Sequence, residues 1–226
     1  MASASVQEIL RNIAVKGFWK LDDPAIGRRI DAMLRTGFHI KTVDGLELCE
    51  ASTFNNQDVR EVIDTSFKDP VLGFYKVYGP TGADHCIQNK SATNDAMSIL
   101  VVHTCSSDSK IILHESSHLQ YLNAVGAPNG LLAIPKDRLE QSGIIRTLVQ
   151  FEHGGIILSD SRLGWRITKG MAVLLGEMDS NEAMHWAAMP WPSLPVLIAK
   201  VSEMDSRSKS FSRNFKWEPT VQETNT

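Results

Sequence analysis

Cysteine is scarce in this chain of 226 residues, and the three it has, Cys49, Cys86 and Cys105, are an odd, scattered set. They form neither a disulfide framework nor a paired metal spacing, and read as reduced thiols of an intracellular protein. Positive charge is not in excess: 23 Lys and Arg stand against 26 Asp and Glu, a formal charge of −3. That balance excludes the basic stripe expected of a nucleic-acid binder. Long apolar runs are also missing, so no membrane span is expected. Met1-Ala2-Ser3-Ala4-Ser5-Val6-Gln7-Glu8 lacks the basic and apolar regions of a signal peptide, which makes a cytoplasmic protein the expectation. What is present is 42% hydrophobic residues, enough to bury a substantial core in one large domain.

The first third reads as helical. Val6, Ile9, Leu10 and Ile13 share one helical face, and Asp22-Asp23-Pro24 offers a cap and a first-turn proline for a second helix through Leu34. Residues 38–43, Asp44-Gly45 and residues 46–49 predict a hairpin about an Asp-Gly turn. Residues 57–67 predict a short amphipathic helix with Val59, Val62 and Ile63 inward. After Pro70 the texture changes to short apolar runs between turn residues, at 71–78, 97–104, 110–114, 131–134, 144–151, 156–159, 165–168 and 171–175. Ser106-Ser107-Asp108-Ser109 predicts a hairpin joining the second and third of these, and Lys169-Gly170 a meander joining the last two. Runs at this spacing point to an all-β barrel or sandwich with helices outside. Residues 1–205 are expected to form one barrel domain with an N-terminal helical layer, and 206–226 a polar tail. The aromatic and Met-rich residues 184–192 read as a satellite core fastening that tail, or as a lid.

The stretch His114-Glu115-Ser116-Ser117-His118 carries two incompatible chemistries. On a helix, His114 and His118 share a face and reach one zinc ion, with Glu115 as general base of a hydrolase. Adjacent β-branched residues in Lys110-Ile111-Ile112-Leu113 favour a strand instead, and two serines lower helix propensity further.

Ser98-Ile99-Leu100-Val101-Val102-His103-Thr104, a polar turn, and Ile111-Ile112-Leu113-His114-Glu115-Ser116-Ser117-His118 together resemble the phytanoyl-CoA dioxygenase family. In that family a core strand and turn lead to an apolar strand ending in Pro-Gly-Ser-His. Gly154-Gly155-Ile156-Ile157-Leu158-Ser159-Asp160-Ser161-Arg162-Leu163 is similar to its Gly-Asp strand, which delivers the second iron-binding histidine. The resemblance spans residues 75–178 and implies a double-stranded β-helix, the fold of iron(II)/2-oxoglutarate oxygenases. The fold class it implies is mainly β with flanking helices (α+β), a jelly-roll or cupin-like barrel with the N-terminal helices outside. Such oxygenases hold iron with a His-x-Asp/Glu pair and one distal histidine. Here His85 is the candidate for the pair, but its +2 position is Ile87, and the distal histidine falls near Gly164 or Trp165, where there is no imidazole. The resemblance therefore implies a barrel with a degenerate metal site.

An apolar cavity with a few convergent polar groups suits a small apolar organic substrate. The expectation is an isomerase or cyclase, of pericyclase type, in natural-product biosynthesis, which needs no cofactor and acts by folding its substrate and stabilising developing charge. His103 and His118 are candidate general acids or bases near neutral pH, and Arg162 a catalytic partner for a carboxylate or carbonyl. His85, Trp165 and Arg166 are candidate substrate-binding residues, Trp165 as an apolar wall or cation stabiliser. Each also has a plainer reading: His103 and Trp165 as core, His114 and His118 as turn residues, the arginines as partners of Asp160 or Glu177. Three alternatives stay open: an iron(II)/2-oxoglutarate oxygenase with unusual ligands, a zinc hydrolase through His114 and His118, and a non-catalytic small-molecule-binding protein. Exposed strand edges make a homodimer an expectation.

Overall fold

The computed structural model describes residues 5–91, 96–207 and 212–219. Helix α1 (Val6–Lys16) starts where the Ser5 hydroxyl accepts from the Glu8 N–H at 3.2 Å and stops at Gly17, whose φ of 95° is the left-handed cap that glycine favours. Strand β1 (Phe18–Asp22) leads to α2 (Pro24–Arg35), capped by Asp23. Helix α3 (Val43–Ser52) replaces the expected hairpin. Its Asp-Gly pair lies in a first helical turn, where Thr42 Oγ1 accepts from the Gly45 N–H. Gly45 is needed there for close approach, since a Cβ would stand 1.9 Å from the Ile40 carbonyl oxygen. Helix α4 (Gln57–Ser66) buries Val59, Val62 and Ile63, as its periodicity predicts.

The remaining elements are β2 (Pro70–Tyr78), β3 (His85–Cys86), β4 (Ile99–Cys105), β5 (Ser109–Glu115), β6 (Val125–Gly126), β7 (Leu132–Ala133), α5 (Lys136–Leu139), β8 (Ile145–Phe151), β9 (Gly155–Asp160), β10 (Gly164–Lys169), β11 (Ala172–Asp179), α6 (Ser180–Ala183), β12 (Met189–Pro192), α7 (Pro195–Arg207), β13 (Ser212–Arg213) and β14 (Phe215–Glu218). Among the described residues the strands make two six-stranded sheets, ordered β1-β9-β4-β11-β2-β13 and β6-β7-β3-β10-β5-β8, and a ribbon of β12 with β14. Successive strands from β8 to β11 alternate between the sheets, which is the double-stranded β-helix that the resemblance implies.

That alternation overturns two local readings. β4 and β5 are not a hairpin, and β10 and β11 are not a meander, because each turn carries the chain across to the facing sheet. Every residue of β4 is buried, one face against the helical layer and the other inside the barrel. The polar tail is corrected as well, for residues 212–218. β13 pairs with β2 and β14 with β12, and Phe215 stacks on Trp191 with ring centroids 4.6 Å apart. Trp191 stacks in turn near Tyr75, so residues 189–192 do fasten this part of the tail. The rest of the tail lies outside the described residues.

Among the described residues no helix is long and apolar enough to cross a membrane. All three cysteines are free and buried, and burial pushes their thiols up, away from nucleophile reactivity.

Candidate functional site

The alternating pleat of β10 splits two of the expected site residues. Trp165 points into the space between the sheets, whereas Arg166 projects from the outer face. Inside, Trp165 meets His103 of β4 edge-on, with centroids 5.4 Å apart, Tyr78 of β2 at 6.0 Å and His85 of β3 at 6.1 Å. His85 is also its backbone partner across β3 and β10. Three expected residues thus form one cluster, joined by Tyr78, which the sequence did not single out.

Burial sets the chemistry of this cluster. His103 has no exposed surface, pairs through Nε2 with the Ser159 hydroxyl at 2.9 Å, and has no partner for Nδ1 among the described residues. Burial pushes its pKa down to about 3, so it stays neutral rather than titrating near neutral pH. Burial lowers His85 too, and the Asn129 amide faces its Nε2 at 3.3 Å. The Tyr78 hydroxyl is pushed up to about 12 by burial.

The other expected residues lie elsewhere. Arg166 sits 3.6 Å from Asp84, whose carboxylate also meets His114 Nε2 at 2.8 Å. Burial opposes ionisation of Asp84, but His114, Arg166 and Arg146 together hold its carboxyl below the ordinary value. His118 occupies a 3-10 turn (Ser117–Leu119) and donates from Nε2 to the Ala14 carbonyl at 3.1 Å. Its pKa is lowered chiefly by burial. The zinc reading is corrected on this geometry: His114 ends a strand, Ser116 turns the chain with a φ of 63°, and the two imidazoles are committed to different partners. Arg162, in the β9–β10 turn, is clamped by Asp160 through Nε at 2.9 Å and Nη2 at 2.7 Å.

Two of the hollows among the described residues lie beside these side chains. The first, about 410 Å³, lies at the end where β3 finishes and β10 begins, and includes Ile87, Gln88, Ser98, Arg162 and Glu182. Gln88 is its hub: its Oε1 accepts from the Ser98 and Ser161 hydroxyls at 2.9 and 2.8 Å, and its Nε2 donates to Glu182 at 2.9 Å. The second, about 420 Å³, opens at the seam between the β2 edge and the β6–β7 turn. Ile40, Val77, Met189, Pro190 and Trp191 make it apolar, while Tyr78, Asn129, Lys41 and Lys76 supply its polar groups. Sequence reasoning missed this seam, because its walls come from four distant segments.

No protein-family model and no curated protein sequence matches this chain. Among solved structures it is similar to AviO1 from Streptomyces viridochromogenes, at 10% identity and a TM-score of 0.50, over 80% of this chain and 97% of that one. It is similar to EctD from S. alaskensis with 2-oxoglutarate and 5-hydroxyectoine, at 12% identity and 0.51, over 79% and 77%. SnoK, a non-heme α-ketoglutarate-dependent carbocyclase from nogalamycin biosynthesis, aligns at 11% identity and 0.48, over 80% and 88%. The first two likenesses establish the fold and leave the reaction to the site itself. They also correct one expectation. EctD, which shares this fold, was solved with 2-oxoglutarate, and the expectation of no cofactor does not stand.

The residues here nonetheless do not fit an iron ion at the position this fold implies. His85 offers one imidazole, but Ile87 at its +2 position has no donor atom, and Trp165 opposite it fills the space with an indole. Among the described residues no three His, Cys, Asp or Glu side chains are grouped to hold a metal.

Proposed function

We propose that this chain is an enzyme that isomerises or cyclises an apolar small molecule of specialised metabolism, with the seam hollow as its site. The observation that supports this reading is the contact between that hollow and the buried cluster. Tyr78 belongs to both, lining the hollow and meeting Trp165 edge-on, and Asn129 lines the hollow while its amide faces His85.

Each residue then has a physical task. The Tyr78 hydroxyl, its pKa pushed up to about 12, remains a protonated donor at neutral pH. A substrate carbonyl set against it gains a hydrogen bond that strengthens as negative charge develops on the oxygen. Trp191 and Met189 restrict a flexible apolar chain to a folded conformer, which lowers the entropic part of the barrier. Asn129 is a positioning residue: its amide donates to His85, and its Oδ1 accepts from the Leu131 N–H at 3.1 Å.

The test is turnover of a panel of apolar ketones and polyenes by the purified chain, with and without added Fe(II) and 2-oxoglutarate, followed by chromatography and mass spectrometry. The expected product has unchanged mass and a new retention time. Tyr78→Phe is expected to lower kcat by about 100-fold with little change in KM. A product that has gained an oxygen atom would replace this reading with an oxygenase, and binding without any product would replace it with a non-catalytic binder.

A further inference from the structure

The charges around the seam hollow are one-sided, in a chain whose net charge is −3. Lys41 and Lys76 both line it, and Asp and Glu are absent from its lining. Both lysines are exposed, and neither makes an ion pair with a described residue. Lys76 leans over the turn at Gly130, its Nζ 3.2 Å from where a Cβ on that residue would stand. Gly130 has a φ of 78°, a conformation that favours glycine, and it places no Cβ against the lysine.

From this arrangement we infer that the hollow takes an apolar monocarboxylate, a small organic acid whose hydrocarbon or aromatic body lies against Trp191, Met189 and Ile40 while its carboxylate meets Lys41 and Lys76. The inference rests on the seam hollow being the substrate site, and it names the class of substrate. The physical case is complementarity on both counts. An apolar wall rewards burial of the body, and two ammonium groups at its exposed rim favour an anionic head over a neutral one. The Tyr78 hydroxyl is a third donor within the same hollow, free of any hydrogen bond to a described residue. At about 420 Å³ the hollow stands toward the lower end of the ~300–1,000 Å³ range in which proteins hold drug-sized ligands. That size suits a free small acid rather than a lipid bilayer or a peptide.

The deciding experiment is calorimetric titration of the full chain with naphthaleneacetate and with its neutral amide, naphthaleneacetamide, which have nearly the same shape. The carboxylate is expected to bind about tenfold more tightly than the amide. In the double variant Lys41→Met and Lys76→Met the two ligands are expected to bind equally, with the apolar contribution retained. Thermal melting of the variant confirms that it is folded, and the single variants locate the preference if the double one unfolds. Equal binding of acid and amide to the natural chain would overturn the inference, as would a preference that survives loss of both lysines, or binding of neither ligand. The outcome is separable from the enzymatic reading, since selective binding without turnover removes that reading and leaves the acid-binding site intact.

Discussion

Glu177 is a residue whose burial makes stability depend on pH. It sits on β11 facing the helical layer, 3% exposed, with Oε1 unpartnered among the described residues. Burial pushes its carboxyl up to about 8, with nearby Asp64 adding to the shift and Arg60 opposing it. The folded protein therefore holds a proton that the unfolded chain releases above about 4.5, and Glu177's own contribution to stability is lost as pH rises from there to about 8. His103 works in the other direction. It is depressed to about 3, so its contribution is complete above about 6.5 and is lost as pH falls toward 3. His85 and His118 are lowered by burial and add to the acid-side loss. Chemical denaturation across pH is expected to show a maximum near about pH 6.5. Glu177→Gln is expected to remove the decline between about 6.5 and 8, which has a slope of up to about 1.4 kcal/mol per pH unit. A decline unchanged in the variant would mean that another group carries it.

At the level of elements, α2 is pressed onto the turn that opens β9. A Cβ on Gly27 would stand 2.0 Å from the His153 carbonyl oxygen and 2.8 Å from the Gly154 Cα, and both obstacles are backbone. Gly27→Ala thus forces the helix off the sheet and is expected to cost about 1–3 kcal/mol, read as a lower denaturation midpoint. Gly82→Ala, where a Cβ meets nothing within 4 Å, is the matched control and is expected to be near neutral. Equal effects from the two would show that helix contact is not what Gly27 protects. A second close approach lies at the start of α3, where Gly45 sits against the Ile40 carbonyl and accepts from the Tyr75 hydroxyl at 2.7 Å.

For the molecule as a whole, Trp165 is a side chain of one sheet that packs against the other. It is 1% exposed and touches aromatic or imidazole rings on β2, β3 and β4. Trp165→Ala is expected to destabilise the protein by about 3–5 kcal/mol through lost burial and the cavity left behind. Urea denaturation measures this, and a loss under about 1 kcal/mol would mean that the sheets close over the gap. The same indole lies beside both imidazoles of the cluster, with ring centroids 6.1 Å from His85 and 5.4 Å from His103.

Local pattern carried a good part of this protein. The helical face of Val6, Ile9, Leu10 and Ile13, the cap at Asp23, the inward face of Val59, Val62 and Ile63, and the apolar runs that became β2, β4, β5 and β8 to β11 were legible, because caps and periodicity act between residues close in sequence. Pairing was not. Whether the turn at residues 106–108 closes a hairpin or crosses between sheets depends on which distant strand offers a hydrogen-bonding edge, and β9, β11, β8 and β10 decide it. Nor could sequence spacing assemble Lys41, Lys76, Asn129 and Trp191 around one hollow, or bring Gln88 to Ser161 and Glu182. Those groupings arise only when segments far apart in the chain are packed against one another, and no short stretch of sequence contains the contacts that hold them.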